Sequence, residues 1–166
     1  MSFSHFLLLL LITTLLMFLC KNIVSIHSQC LEEQQILLLQ LKQSLKFNSS
    51  QSSKLVLWDS STDCCSWTGV TYNKGNVIGL DLANESISGG LDNSSSLFNL
   101  PYLESLNLAE NSFYDTQIPS GFENLVNLVY LNLSNSAFVG QIPVEISSLI
   151  RKFLISHHFV YVVFVH

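Results

Sequence analysis

One spacing of apolar residues occurs three times in the middle of this chain. Each copy reads apolar-x-x-Leu-x-Leu, and the three copies begin at Val77, Leu103 and Leu128. Successive copies therefore lie 25 or 26 residues apart. A fixed period of this length is typical of a solenoid, in which each unit buries its apolar side only against its neighbours. The repeat predicts a stack of similar units.

Further columns repeat in phase with these leucines. Two apolar columns follow each copy, and Pro stands directly behind the second column in two of the three copies: Ile87, Phe113 and Phe138, then Leu91, Ile118 and Ile142. The spacing and period are those of a leucine-rich repeat, and the Leu-x-Leu alternation predicts a short strand with inward leucines. We therefore predict an α/β solenoid of the leucine-rich-repeat type, with a short parallel β-sheet on its concave face. About three repeats occupy residues 74–149, behind a helical amino-terminal cap.

The residues between the leucines are predicted to face outward from this sheet. They form a candidate ligand face, because a rigid sheet presents side chains at little entropic cost. Tyr130 is the one aromatic residue in this set, which comprises Asp81, Ser105, Asn107, Tyr130 and Asn132. One further position is predicted to point inward, where its side chain bonds turn amides that would otherwise be buried unpaired. It holds Asn111 in the second repeat, and Glu85 and Ser136 at the matching positions.

Residues 1–28 are predicted to be a signal peptide. The segment from Phe6 to Leu19 is apolar apart from two threonines, and it is shorter than a membrane-spanning helix requires. Ser25 and Ser28 are candidate cleavage positions. No Lys or Arg precedes the apolar segment, so a membrane-retained signal anchor is the alternative.

Residues 29–73 are predicted to form a cap over the first repeat. Leu38, Leu41 and Leu45 have helical spacing, and Glu32 and Glu33 lie in the first turn, where acidic residues favour a helix. A segment rich in Cys and Trp, DCCSWTGV, comes just before the first repeat strand. Such a cap covers the core edge that a first solenoid repeat would otherwise expose.

The cysteines are predicted to be structural. Removal of the signal leaves Cys30, Cys64 and Cys65, an odd number in an oxidising compartment, so one thiol is expected to lack a partner. A redox pair of Cys64 and Cys65 is the alternative, but adjacent cysteines rarely bridge each other. Tail residues His157 and His158 are adjacent, which is poor spacing for two metal ligands on one strand.

Composition excludes several functions and adds few. The formal charge is −5 with only 11% charged residues, so no basic surface is available for nucleic acid. No catalytic or phosphate-binding motif is present. We expect a binding protein rather than an enzyme, with no catalytic residue, cofactor or metal. Four N-x-S triplets are candidate glycosylation sites in a secreted protein, at Asn48, Asn84, Asn93 and Asn132.

Residues from Cys30 to Leu149 resemble the plant-type leucine-rich-repeat receptors, especially the receptor-like proteins that lack a kinase. The resemblance rests on the cap residues Cys30, Trp58 and Cys64-Cys65-Ser66-Trp67, and on repeats reading LNLAENSF and LNLSNSAFVGQIP. It implies extracellular recognition of a protein, peptide or glycan ligand in defence or development. It also implies a co-receptor kinase as signalling partner, an apoplastic location, and full-length relatives anchored in the plasma membrane.

The same resemblance implies a pairing for the cap cysteines. The first cap cysteine, Cys30, pairs with Cys64, and the second of the adjacent pair pairs with a cysteine seven residues later. That later position is Tyr72, which leaves Cys65 as the unpaired thiol.

Residues 150–166 depart from the repeat and are predicted to be an aberrant, strand-forming apolar tail unrelated to it. We therefore expect this chain to be a fragment of a longer receptor. Two alternatives remain. One is a secreted inhibitor resembling the polygalacturonase-inhibiting proteins, but the missing cap cysteine and the small number of repeats argue against it. The other is an inactive truncated product.

Overall fold

The structure is a computed structural model that describes residues 3–24, 29–144, 146 and 161–163. The predicted cleavage positions Ser25 and Ser28, and the tail histidines His157 and His158, lie outside these ranges. An amino-terminal helix, α1, spans Phe3–Val24, and its described leucines are exposed to solvent. Within the described ranges, no helix combines the length and hydropathy needed to cross a membrane.

The cap contains the helix predicted from the leucine spacing. This helix, α2, spans Glu32–Ser44, and it buries Leu38 and Leu41 together with Leu45 just beyond its end. Gln34 is also buried. Its side-chain amide donates to the Asn76 side chain at 2.9 Å, and its amide oxygen accepts a hydrogen bond from the Val77 backbone amide. The helix is thereby joined to the first repeat strand by polar as well as apolar contacts.

Two tryptophans form the centre of the cap. Trp58 and Trp67 stack with ring centroids 5.2 Å apart and an interplanar angle of 18°, and both are buried. They flank the short 3₁₀ helix Cys64–Ser66, and a second one, Leu55–Leu57, comes just before Trp58. The Trp58 indole donates to the Thr68 carbonyl at 3.2 Å, which satisfies the polar atom that burial of this ring would otherwise leave unpaired.

The described strands form two sheets. Strand β1 spans Lys46–Phe47 and pairs antiparallel with β4, Ile87–Gly89. The larger sheet has the order β2-β3-β5-β6-β7, with bounds Val70–Asn73, Asn76–Asp81, Ser105–Asn107, Tyr130–Asn132 and Tyr161–Val163. From β3 onward these strands are parallel and in register, so that Leu80, Leu106 and Leu131 stand side by side. All three leucines are buried.

Strand β2 was not predicted from the sequence. It pairs antiparallel with β3 through a tight turn at Lys74 and Gly75, both of which have positive φ values, 50° and 81°. Positive φ at both central residues is the mark of the type I′ turn, whose twist matches that of a hairpin. The strand places Thr71 beside Gly79 at the edge of the repeat sheet.

Aromatic pairs join successive repeats. Phe98 and Phe122, which belong to the 3₁₀ helices Ser96–Asn99 and Ser120–Asn124, meet edge to face at 5.1 Å. Phe113 and Phe138 stack with centroids 4.4 Å apart. The column that contains Phe113 and Phe138 therefore packs between units, as a solenoid requires, whereas Ile142 of the second column is exposed.

The described part of the tail is a strand. The tail was predicted to be strand-forming and unrelated to the repeat, and its residues Tyr161–Val163 lie parallel to β6 at the edge of the repeat sheet. Val162 stands opposite Leu131, which continues the register of the two preceding repeats. The strand propensity of this apolar segment was legible in the sequence, but its pairing partner was not.

Candidate functional site

The residues of the predicted ligand face lie in two rows across the parallel strands. One row, here called the turn row, contains Asp81, Asn107 and Asn132, which are Cα partners across β3, β5 and β6. The other row, here called the open row, contains Gly79, Ser105 and Tyr130, and β2 extends it by Thr71. The structure thus brings all five predicted face residues together, and it adds Thr71.

The side chains of the turn row are occupied by local structure. Each accepts a hydrogen bond from the backbone amide two residues later, at 3.1 Å for Asp81, 3.2 Å for Asn107 and 3.0 Å for Asn132. Asx side chains bond in this way to end strands in tight turns. Asp81 also forms an ion pair with the amino group of Lys54 at 3.4 Å. The side-chain oxygens of these three residues therefore stabilise the turns that follow the strands and are less available to a ligand.

The side chains of the open row are free. Thr71, Ser105 and Tyr130 make no side-chain hydrogen bond to another described residue. Thr71 is exposed, and Ser105 and Tyr130 are half-buried. The face is therefore divided into one row engaged in turns and one row available for contact.

A groove of about 310 Å³ lies over the open row between β2, β3 and β5. Thr71 forms one wall, Glu104 and Ser105 form the other, and Gly79 and Ile78 lie between them. A methyl group added at Gly79 would come within 3.0 Å of the Thr71 Cβ, so glycine keeps the groove open. Sequence reasoning missed Glu104 and Thr71; the Lys74-Gly75 turn signal would have indicated the strand that carries Thr71.

Two larger grooves lie away from this face. One, of about 580 Å³, borders Phe138 and Ile142 at the end of the third repeat. In the second repeat, the matching surface at Phe113 is packed against the next repeat unit. The other, of about 760 Å³, lies among the loops that contain Asp92 and Asp115. Neither groove includes a residue of the turn row or the open row.

The predicted inward asparagine is the centre of a buried polar ladder behind the face. The Asn111 side-chain oxygen accepts from the amides of Glu85 at 3.2 Å and Ile87 at 3.0 Å. Its amide group donates to three carbonyls, including that of Leu82 at 2.8 Å. Ser136 holds the next position and donates to the Leu108 carbonyl at 2.7 Å. The ladder therefore continues through serine in the third repeat.

Glu85 holds the first position of this ladder, and its side chain acts only as an acceptor, for the cap loop that precedes it. It is fully buried, and its carboxylate accepts hydrogen bonds from the Ser52 and Ser53 hydroxyls and from the amides of Ser53, Lys54 and Leu55. Burial alone would raise the pKa of Glu85, but these hydrogen bonds outweigh it and hold the pKa below its ordinary value. An apparent departure from the asparagine pattern thus joins the first repeat to the cap.

The cap cysteines are placed as the resemblance implies. Cys30 and Cys64 form a disulfide with Cα atoms 5.5 Å apart. Asp63 accepts from the backbone amides of Cys30 and Cys65, at 2.9 Å each. Asp63 and the two bridged sulfurs are the one group in the described ranges with the spacing of a metal site, but disulfide sulfurs are not thiolate ligands.

Cys65 carries a free, partly exposed thiol. Burial and the neighbouring Asp63 carboxylate raise the pKa of this thiol to about 11. The thiol is therefore protonated at neutral pH, and a protonated thiol is a poor nucleophile. Tyr72, which stands where the second cap disulfide would find its partner, lies on β2 and is 40% exposed.

The four glycosylation candidates differ in their surroundings. Asn48, Asn84 and Asn93 are exposed in loops, whereas Asn132 is half-buried within β6. The Asn93 side-chain oxygen already accepts from the Ser120 hydroxyl at 3.1 Å. A sugar on Asn132 would cover the part of the face next to Tyr130.

Comparison with known proteins identifies the same two regions. Residues 31–71 match the family model described as leucine rich repeat N-terminal domain. Residues 102–125 and 127–149 each match the leucine rich repeat model. The matches coincide with the cap and with the second and third repeats.

Similar proteins come from plants. Receptor-like protein 7 of Arabidopsis thaliana is 40% identical over 131 residues, covering 78% of this chain but only 13% of that protein. The solved PEPR1–AtPEP1 structure superposes with a TM-score of 0.61 at 26% identity, over 82% of this chain and 18% of that one. The BIR3–SERK2 complex from Arabidopsis thaliana gives a TM-score of 0.57 at 29% identity, over 78% and 65%. The chain thus spans about an eighth of the length of its first curated relative. The resemblance read from the cap and repeats is confirmed, and the chain belongs to the plant leucine-rich-repeat receptor-like proteins.

Proposed function

We propose that this chain is an extracellular leucine-rich-repeat module that recognises a protein or peptide ligand through the concave face of its parallel sheet. The observation that carries this proposal is the open row, in which Thr71, Ser105 and Tyr130 present side chains without hydrogen-bond partners among the described residues. Side chains fixed on strands lose little entropy when a ligand binds.

Similar proteins support recognition rather than catalysis. The curated relatives include several receptor-like proteins and the phytosulfokine receptor 1, and two solved neighbours are complexes, PEPR1 with AtPEP1 and BIR3 with SERK2. By analogy, this module takes a ligand on its face and acts with a co-receptor kinase. Residues 1–28 would direct it to the secretory pathway, residues 29–73 would form its cap, and residues 74–149 its repeats. Glycans on the exposed Asn48, Asn84 and Asn93 would leave the open row accessible.

To test this proposal, a library of displayed peptides is selected for binding to the full chain, purified from a secretory host. Enriched peptides are expected to lose at least tenfold in affinity for Tyr130→Ala and Ser105→Arg, because these changes remove the aromatic contact or fill the groove. Gln43→Arg, at an exposed position on α2, is the matched control and should bind normally. Enrichment no better than on an albumin surface, or peptides indifferent to both face variants, would contradict the proposal.

A further inference from the structure

We propose that the groove over Gly79 binds the cationic side chain of an arginine or lysine in the ligand. This inference rests on the proposed function and specifies the chemistry of its ligand. It starts from the residues that line the groove, which are the hydroxyl-bearing Thr71 and Ser105, the apolar Ile78 and Leu80, Gly79, and the acidic Asp81 and Glu104.

The groove carries negative charge that no neighbouring cation fully neutralises. Glu104 is exposed, and its carboxylate has no ion pair or hydrogen bond with a described residue. Lys54 lies at the end of the face, where it is already paired with Asp81 at 3.4 Å and donates to the Ala83 carbonyl at 3.2 Å. Among the residues that the structure describes, no Lys, Arg or His lines the groove, and the chain has a formal charge of −5. An anionic ligand group would meet repulsion here, and a cation would meet attraction.

The shape of the groove suits a long side chain. Gly79 has no side chain, and Ile78 provides an apolar surface for the methylenes of arginine or lysine. The hydroxyl oxygens of Thr71 and Ser105 stand on opposite walls and are free to accept hydrogen bonds from the charged head. Tyr130 is the next residue along the row after Ser105, where its ring face can receive a second cation.

The turn row explains why the cation is directed to the groove rather than elsewhere on the face. The side-chain oxygens of Asn107 and Asn132 are already bonded to backbone amides, and Asp81 is paired. Glu104 is therefore the one carboxylate of the groove left without a partner among the described residues.

The test uses three nine-residue probes of one Gly-Ser framework, carrying three Arg, three Gln or three Glu at the same positions. Fluorescence anisotropy measures the binding of each probe to the full secreted chain at low and physiological salt. The Arg probe is expected to bind most tightly, and Glu104→Gln is expected to weaken it about fivefold, the upper range for one exposed charge pair. Gly79→Ala should also weaken it, because the added methyl narrows the groove.

A matched control separates a site from general attraction to an acidic protein. Glu123→Gln removes an exposed carboxylate in the 3₁₀ helix Ser120–Asn124, outside the groove, and should change affinity for the Arg probe less than twofold. Equal losses from Glu104→Gln and Glu123→Gln would overturn the inference, as would a preference for the Gln or Glu probe. Selective binding of a neutral oligosaccharide such as cellohexaose that Tyr130→Ala abolishes would overturn it too. A face that binds neutral peptides through Tyr130 would refute the cation site while leaving the proposed function intact.

Discussion

The buried carboxylate of Glu85 accepts a hydrogen bond from the hydroxyl of Ser52, 33 residues earlier in the chain. The same carboxylate accepts three consecutive backbone amides, those of Ser53, Lys54 and Leu55. A single side chain of the first repeat therefore holds one whole cap loop. Removing it would leave several buried donors without partners.

Glu85→Ala is accordingly expected to lower the free energy of unfolding by about 3 kcal/mol or more, and Glu85→Gln by about 1 to 3 kcal/mol. Glu123→Gln is the control, because that carboxylate is exposed and is expected to change stability by less than about 0.5 kcal/mol. Urea unfolding of the three variants measures these differences. Equal effects at positions 85 and 123 would show that the cap loop does not depend on Glu85.

The stabilisation by Glu85 should also depend on pH. Because the folded state lowers the pKa of Glu85, its contribution is fully present above the ordinary glutamate pKa, about 4.3. It is lost as the pH falls through the lowered pKa of the folded state. Melting curves between pH 3 and 6 should therefore show a smaller acid-induced loss of stability for Glu85→Gln than for the original chain. Parallel curves would refute this linkage.

The disulfide between Cys30 and Cys64 closes a loop of 34 residues, which is worth ~4 kcal/mol on a chain-entropy estimate. Cys64→Ser should lower the stability of the non-reduced protein strongly, whereas Cys65→Ser should have little effect. Peptide mapping without reduction should recover Cys30 joined to Cys64 and an alkylated Cys65. Recovery of Cys30 joined to Cys65 would contradict the assignment.

Reactivity of Cys65 offers an independent measurement. Because the pKa of this thiol is raised to about 11, its thiolate fraction should still be rising at pH 9.5, where a peptide cysteine with a pKa of about 8.5 has nearly levelled off. Alkylation rates measured from pH 7 to 9.5 should therefore lack a plateau. Tyr72→Cys should abolish this reactivity by forming the second cap disulfide that the family resemblance implies, with a gain of ~2 kcal/mol.

The register of the repeat strands is tested by two adjacent residues. Leu106 is fully buried between Leu80 and Leu131, so Leu106→Ala should cost about 2 to 5 kcal/mol. Asn107 is half-buried and loses only its bond to the Ala109 amide, so Asn107→Ala should cost about 1 kcal/mol. Equal losses of thermal stability would mean that the inward and outward positions are misassigned.

Periodicity predicted the parts of this molecule that depend on local pattern. The spacing of Leu106 and Leu131 predicted the strand, its inward face and the parallel register, because every repeat must bury its apolar side against its neighbours. Asn111 was likewise predictable, since it accepts from amides of the preceding repeat and donates to carbonyls of its own repeat. The five predicted face residues lie on three neighbouring strands of one sheet, and their role in binding stays a prediction.

Pairings between distant segments were not predictable from the sequence. Glu85 appeared to break the asparagine column, and only the fold shows the cap amides it serves some 30 residues away. The division of the face into a turn row and an open row was also not predictable. In the sequence, Asn107 and Ser105 are both polar outward residues, but only Asn107 accepts a hydrogen bond from the turn that follows its strand. Nothing in the apolar tail specified that Val162 would stand beside Leu131.

That last pairing leads to a prediction about the tail. Strand β6 bonds to β5 on one side and to β7 on the other, so loss of β7 would expose the backbone edge of β6. An unpaired edge of a sheet is a template for association with another chain. Val162→Pro, which cannot be accommodated in a paired strand, should therefore lower stability by about 1 to 2 kcal/mol and increase aggregation. Val162→Thr keeps the amide and the β-branched shape, and it should behave like the original chain.

Thermal melts and size-exclusion profiles of the secreted protein measure both effects. A Val162→Pro protein with unchanged melting and less aggregation would mean that the tail does not belong to the sheet and acts only as an adhesive apolar segment.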